Sequence, residues 1–354
     1  MLATVSLVAL QSLPASAVAE CEQEPPGVLQ DLMTSELYGQ TVFANTYVSA
    51  GAGAGDQTVN GSVLANTYVT TGAGSTVTGN IHTGTILTIG ASGTVLGDTL
   101  AATASTLGAG ASVEGKLHSG TAVTLGAGSN VKGLLQYGTT VTTGAGAISE
   151  SQANSTAAVV VADLHQDVLD AQAALDAMPN DVMLVPGDIA TDITFEPGVY
   201  DVPGLLTVTA NKTITLDARD KSDSVFIFNV GNYLTFGAGV EVVVINAPEN
   251  DNTRVIWNAT GGYVSVGANA NIVGTILAKE YVSTGADSSI TGAGDTCGAV
   301  YSSMSYVSIG AGASIGSGGT CGGPAVPVCV DEDYGDAKPL DVGYDSNYDM
   351  GIAP

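Results

Sequence analysis

A chain of 354 residues with 45% apolar content is long enough for one large globular domain or two ordinary ones. Eight Lys plus Arg stand against 34 Asp plus Glu, a formal net charge of −26. No basic stripe is available to neutralise phosphates, which excludes nucleic acid as a partner and disfavours anionic membrane surfaces.

The chain opens on MLATVSLVALQSLPASAVAE, an apolar run ending in small residues, with A-x-A frames at Ala15-Ser16-Ala17 and Ala17-Val18-Ala19. This reads as a secretory signal over 1–19 and predicts a secreted, extracellular protein. No other segment approaches the ~20 apolar residues that span a bilayer.

Residues 36–150 are built from a repeat. Glycine recurs at Gly72, Gly90, Gly108, Gly126 and Gly144, and a second series runs through Gly61, Gly79, Gly97, Gly115 and Gly133, each in steps of 18 residues. Short β-branched runs between two glycine corners are the signature of a solenoid turn, which buries its apolar side chains only against neighbouring turns. Three positions before the first glycine series stand Val48, Val69, Leu87, Ser105, Val123 and Val141; five positions after it stand Val77, Val95, Val113 and Val131. Both columns are predicted to point inward. By strand alternation, the intervening column points outward: Ser49, Thr70, Thr88, Thr106, Thr124 and Thr142. Its companion two residues earlier reads Tyr47, Tyr68, Ile86, Ala104, Ala122 and Thr140. The other outward positions drift through Thr76/Thr78, Thr94/Leu96, Ser112/Glu114 and Asn130/Lys132, a face that tolerates charge. A further column, Thr46, Thr67, Thr85, Thr103, Thr121 and Thr139, is expected near a corner, with its hydroxyls on backbone.

Residues 152–178 break the pattern. Ala157, Val161, Leu164, Val168, Ala171, Leu175 and Met178 follow 4-3 spacing, one apolar stripe along a helix, which Pro179-Asn180 stops. A helix of that length is about 40 Å long, roughly the height of eight stacked rungs, and is predicted to lie along the solenoid.

Over 183–321 the repeat returns, with Val264, Val282 and Val307 and with Ile272, Ile290 and Ile315 in the inward columns, and with Tyr263/Ser265, Tyr281/Ser283 and Tyr306/Ser308 outward. Residues 20–321 thus form one solenoid domain, and the acidic stretch 322–354 is a disordered tail. Of the four cysteines, Cys297 and Cys321 each lie five residues past a glycine, Gly292 and Gly316. Stacked strands sit about 4.7–4.9 Å apart, within disulfide reach, so a Cys297–Cys321 bridge is expected, leaving Cys21 and Cys329.

The strings FEPGVYDV (195–202), TITLDARDKSDSVFIFNVGNYLTFGAG (213–239), VVVINAP (242–248) and VIWNATGGYVSVGANANIVGTILAKEYVSTGADSSITG (255–292), following a coil region and an Ala-rich helix, resemble the microbial ice-binding (antifreeze) protein family of discontinuous β-solenoids. The resemblance covers about 150–316. It implies a mainly β, right-handed solenoid of triangular section with a flanking helix, export, and adsorption to ice through one flat face without a cofactor.

Ice adsorption needs a rigid, flat, weakly polar and uncharged surface with regular spacing. The strip Thr70, Thr88, Ala104, Thr106, Ala122, Thr124, Thr140 and Thr142 meets those requirements, with the ice surface as partner of a monomer. The alternative is an extracellular structural or adhesive rod facing polysaccharide, since stacked threonines also stabilise a sheet by ~0.2–1 kcal/mol per pair without any ligand. An enzyme is not expected. His82 and His118 share a column two rungs apart, about 9.5 Å by strand spacing, too far to share a zinc with ~2.0–2.1 Å bonds. The hexapeptide pattern of left-handed acyltransferase helices is absent, because Val63 and Val69 are followed by Ser75. No nucleophile–base motif is present.

Overall fold

Each 18-residue unit folds as three short strands separated by glycine corners. In one unit these are Ile81–Thr83, Ile86–Ile89 and Thr94–Val95. Every strand pairs in parallel with its equivalent one unit away, as in Ile81↔Thr99, Leu87↔Ser105 and Val95↔Val113. Three stacks of strands therefore enclose one core, the arrangement of a three-sided β-solenoid. The computed structural model describes residues 36–317 except 54–57, 156–158, 160, 186, 249–252 and 294–296. The expected signal segment at 1–19 and acidic tail at 322–354 lie outside the described residues.

The corner glycines serve two physical ends. A methyl group at Gly108 would lie 2.6 Å from the amide nitrogen of Ala91 on the next coil, so the coil spacing admits no side chain there. Two residues on, Gly110 has φ +68°, and its equivalents Asn269 and Asp287 hold φ near 56° and 55°. Glycine, Asn and Asp are the residues that enter this left-handed region at low cost.

The inward columns are buried from Val48 through Val131 and again in the C-terminal coils. Ser105, in a column otherwise apolar, accepts a hydrogen bond from Ser119 Oγ. Val141 is only partly buried, and Thr143 is exposed where Ile89, Leu107 and Leu125 are buried, because their coil ends the stack. The corner threonines each donate to the carbonyl of the preceding rung: Thr67 to Thr46 O, Thr85 to Thr67 O and Thr103 to Thr85 O, all at 2.6 Å.

Order in space is not order in the chain. The twelve-stranded sheet runs Thr140–Thr143, Ala122–Leu125, Ala104–Leu107, Ile86–Ile89, Tyr68–Thr71 and Val48–Ala50, and then continues directly into Val307–Ile309, Val282–Thr284, Val264–Val266, Leu234–Phe236, Leu206–Val208 and Gly187–Ile189. The first coil of the N-terminal series therefore sits on the last coil of the C-terminal series, with Val48↔Val307 and Ser49↔Ser308 in register. The other two stacks count as one 23-stranded sheet. The long strand Asn130–Tyr137 turns the corner between them, pairing with Ser112–Val113 at one end and Leu117–Ser119 at the other.

The helix expected over 152–178 forms only over His165–Asp176, here α1. Gln152–Asn154 instead extend a strand that pairs with Leu135–Tyr137. Ser155 donates to Tyr137 O, Val159 lies over Gly120, and Asp163 accepts from Asn66 Nδ2 at 2.6 Å, so this stretch straps the coils between. Those contacts lie four rungs apart, about 19 Å, whereas eight helical residues reach only ~12 Å. The described residues between, 159 and 161–163, lie in neither helix nor strand. The predicted stripe still faces inward: Leu164, Val168, Ala171 and Leu175 are buried with Phe43, Leu64, Ile227 and Tyr301, and Val161 and Met178 pack against them. Ala157 lies outside the described residues.

A buried polar network fastens α1 to the C-terminal coils. Asn258 Nδ2 donates to Asn229 Oδ1 (2.8 Å) and to the Gln172 carbonyl (3.1 Å). Asn229 Nδ2 donates to Leu175 O (2.8 Å), and Ser303 Oγ donates to Gln172 Oε1 (3.0 Å). Asn258 heads an N-x-S/T sequence but is fully buried here, which bars a glycan from it. Cys297 is not a free thiol. Cys21, Cys321 and Cys329 lie outside the described residues, so the Cys297–Cys321 pairing stays an expectation.

On the helix-covered side, His82 and His118 flank Leu100 in one column, two rungs apart as expected. Burial holds His82 below the ordinary histidine range, against the pull of the Asp98 carboxylate, and burial lowers His118 as well. The unfolded chain takes up protons as pH drops through about 6.5. With the folded pKa depressed, the contribution to stability is complete above that value and is lost as pH falls toward the folded pKa. Thermal unfolding is expected at lower temperature in mild acid than at neutral pH. His82→Leu with His118→Leu, matching Leu64 and Leu100 in the column, should flatten that dependence; an unchanged pH profile in the double variant would refute the assignment.

Candidate functional site

The three sides differ in what they present. One is covered by α1 and the strap before it, through the buried cluster around Phe43, Leu64, Ile227 and Ile256. The second, the stack containing Thr76–Val77, Thr94–Val95 and Ser112–Val113, mixes signs and apolar groups: Lys132 pairs with Glu114, Glu241 is exposed, and Leu96 and Ile245 protrude. The third is the twelve-stranded sheet, and no described helix or strap lies on it.

On this open sheet one column carries a hydroxyl on rung after rung. Register pairing runs unbroken through Thr142, Thr124, Thr106, Thr88, Thr70, Ser49, Ser308, Ser283, Ser265, Thr235 and Thr207, and reaches Asp188 at the far end. Thr106, Thr124 and Thr142 are exposed, and Thr70 and Thr88 partly so. Beside them Thr140, Ala122, Ala104 and Ile86 are aligned in the same way. Thr140 is exposed, and Ala104 and Ala122 are partly exposed. The eight residues singled out from the sequence are therefore brought together on one side of the solenoid, in two parallel columns, free of the helix.

The geometry follows from strand physics. Rungs repeat at about 4.7–4.9 Å, and the two columns, two residues apart on each strand, lie roughly 6.6 Å apart. Threonine is restricted at χ1, so its hydroxyl and methyl hold fixed directions, and the hydrogen-bonded parallel stack beneath prevents sagging. None of the outward residues from Thr140/Thr142 to Tyr68/Thr70 is charged. Such a surface can order water in a grid. Among the described residues, no three His, Cys, Asp or Glu gather as a metal site, and no helix is long and apolar enough to cross a membrane.

Among the members of these columns that escaped the sequence reading are Tyr233, Thr235, Thr207 and the terminal Asp188. Tyr233 stacks on Tyr263 at 5.2 Å, and YLTFGAG at 233–239 matches YVSVGAN at 263–269 position for position. That alignment was the available signal, masked by Leu and Phe in place of the usual valines.

Residues 126–300 match a family model described as ice-binding-like. Ice-binding protein 1 of Shewanella frigidimarina (strain NCIMB 400) is 34% identical over 120 residues, which are 34% of this chain. The chain spans only 13% of the length of that relative. Among solved structures, the domain of Shewanella frigidimarina ice-binding protein 1 aligns at 18% identity with a TM-score of 0.45, covering 79% of this chain and 95% of its own. A glycosylated ice-binding protein from an Arctic yeast aligns at 14% identity with a TM-score of 0.47, covering 82% and 94%.

Proposed function

Because residues 126–300 carry the sequence pattern of the ice-binding-like family, we propose that this chain is a secreted, non-enzymatic antifreeze protein that adsorbs to ice through Thr70, Thr88, Ala104, Thr106, Ala122, Thr124, Thr140 and Thr142. The observation that carries the reading is the unbroken cross-strand register of hydroxyls on a side that the helix leaves open. Each rung contributes a weak contact, the methyls shedding water and the hydroxyls holding it in a grid. Because the rungs are rigidly joined, many such contacts form at once at little entropic cost. The absence of charge on the strip matters equally, since an ion would orient water against the lattice.

The direct test is to watch a single ice crystal in a dilute solution of the purified protein. Faceted growth and a freezing point held below the melting point are expected. Round, unshaped crystals would overturn the reading, and retention on insoluble polysaccharide alongside them would favour a structural or adhesive rod instead. Export is tested by the mature N-terminus, expected after Ala17 or Ala19 in the culture medium.

A further inference from the structure

Beyond Ile86 the outer column of the open sheet changes character. Tyr68, Tyr47, Tyr306, Tyr281, Tyr263 and Tyr233 form one continuous stack, with neighbouring ring centroids 4.7–5.2 Å apart and ring planes within 5° of parallel. The stack crosses the junction between the two coil series at Tyr47–Tyr306. Its inner rings are sealed face to face, so a ligand that must stack on an open aromatic face finds none except at the two ends. What the stack presents to solvent is edges and hydroxyls, and a tyrosine side chain is several ångströms longer than the alanine methyl that holds the same column at Ala104 and Ala122.

The open sheet is thus divided into a low panel and a tall one. In the low panel Thr140, Ala122 and Ala104 lie flush beside Thr142, Thr124 and Thr106; Ile86, 47% exposed, and Tyr68, 39% exposed, form the step. In the tall panel Ser49, Ser308, Ser283, Ser265 and Thr235 each stand two residues along from a tyrosine, in the same backbone register. A crystal plane is flat and does not bend over a step.

We infer that the tyrosine ridge is the boundary of the ice-contact site: it holds the crystal off the C-terminal half of the sheet, leaves Thr88 and Thr70, beside Ile86 and Tyr68, at the edge of the strip where contact is incomplete, and so sets the area of contact. This inference rests on the ice-adsorption reading. Lowering the near end of the ridge should enlarge the site, whereas lowering its far end should not, because the remaining tyrosines still stand between. That dependence on position is not expected of rings that only stabilise the stack.

The experiment compares thermal hysteresis of the wild type, Tyr68→Thr/Ile86→Thr and Tyr233→Thr at equal concentration, with Tm measured for each. Both variants shorten the ridge by one terminal ring and leave the Tyr47–Tyr306 contact in place. In the double variant hysteresis is expected to rise by roughly half or more, in proportion to the added flush area, while Tyr233→Thr stays at the wild-type value. If the double variant folds poorly, Ile86→Thr alone, which removes no ring, should show a smaller rise. A fall in the near-end variants would mean that the ridge itself touches ice, and no change would mean that it bounds nothing; either result overturns the inference while leaving ice adsorption intact. A wild type that neither shapes ice nor shows hysteresis overturns both.

Discussion

Thr106→Tyr, alone or with Thr124→Tyr, is expected to abolish thermal hysteresis while changing folding stability by less than about 0.5 kcal/mol, as for a surface substitution. Thr106 is exposed in the middle of the low panel, in register with Thr88 and Thr124. A tyrosine there would stand clear of the alanines beside it and lift a flat crystal from several rungs at once, so the loss is all or nothing rather than one rung's share. The backbone beneath already tolerates tyrosine on the outer surface of the same sheet at Tyr68. The control is Thr94→Tyr on the side carrying the Glu114–Lys132 pair, expected to leave hysteresis unchanged. Should Thr94→Tyr silence the protein and Thr106→Tyr spare it, the contact face is the charged side.

Asn258→Leu is expected to cost about 3 kcal/mol in folding stability, read from thermal or denaturant unfolding. Asn258 is fully buried, and its amide links three partners: Asn229 Oδ1 and the Gln172 carbonyl accept from it, and Gln172 Nε2 donates to its oxygen at 3.2 Å. A leucine fills comparable space but leaves buried polar groups unpaired, each at roughly 1–3 kcal/mol. The Gln172 side chain keeps two bonds, donating to Ala259 O and accepting from Ser303 Oγ, which tempers the loss. Because the residues belong to one network, Asn258→Leu combined with Gln172→Leu should cost clearly less than the sum of the two single changes; strict additivity would show the network to be no unit. Ice activity below the unfolding temperature should survive, since these residues lie on the helix-covered side.

How much of this was legible beforehand varies by element. The inward valines, the outward hydroxyl column and the carbonyl-bonded corner threonines were readable from the 18-residue step, because side-chain direction in a strand is set by parity alone. The apolar stripe from Val161 to Met178 was equally readable as a surface that packs inward. Its conformation was not. Spacing of 4-3 describes which residues face the core, but where the helix begins depended on the distance between Tyr137 and Asn66, which no local pattern encodes.

The candidate site shows the same division. Strand parity and the 18-residue step set each rung: three strands, buried valines, a threonine flanked by a small neutral residue, and glycine wherever coils meet too closely for a Cβ. The order of the rungs was set in three dimensions, because strand edges of equal periodicity pair with any partner that the rest of the chain permits. The strap and α1 carry the chain back along the solenoid, and that return sets Val48–Ala50 on Val307–Ile309. Two separated tyrosine runs thereby become one ridge, and a single open sheet acquires both its flush panel and the wall beside it.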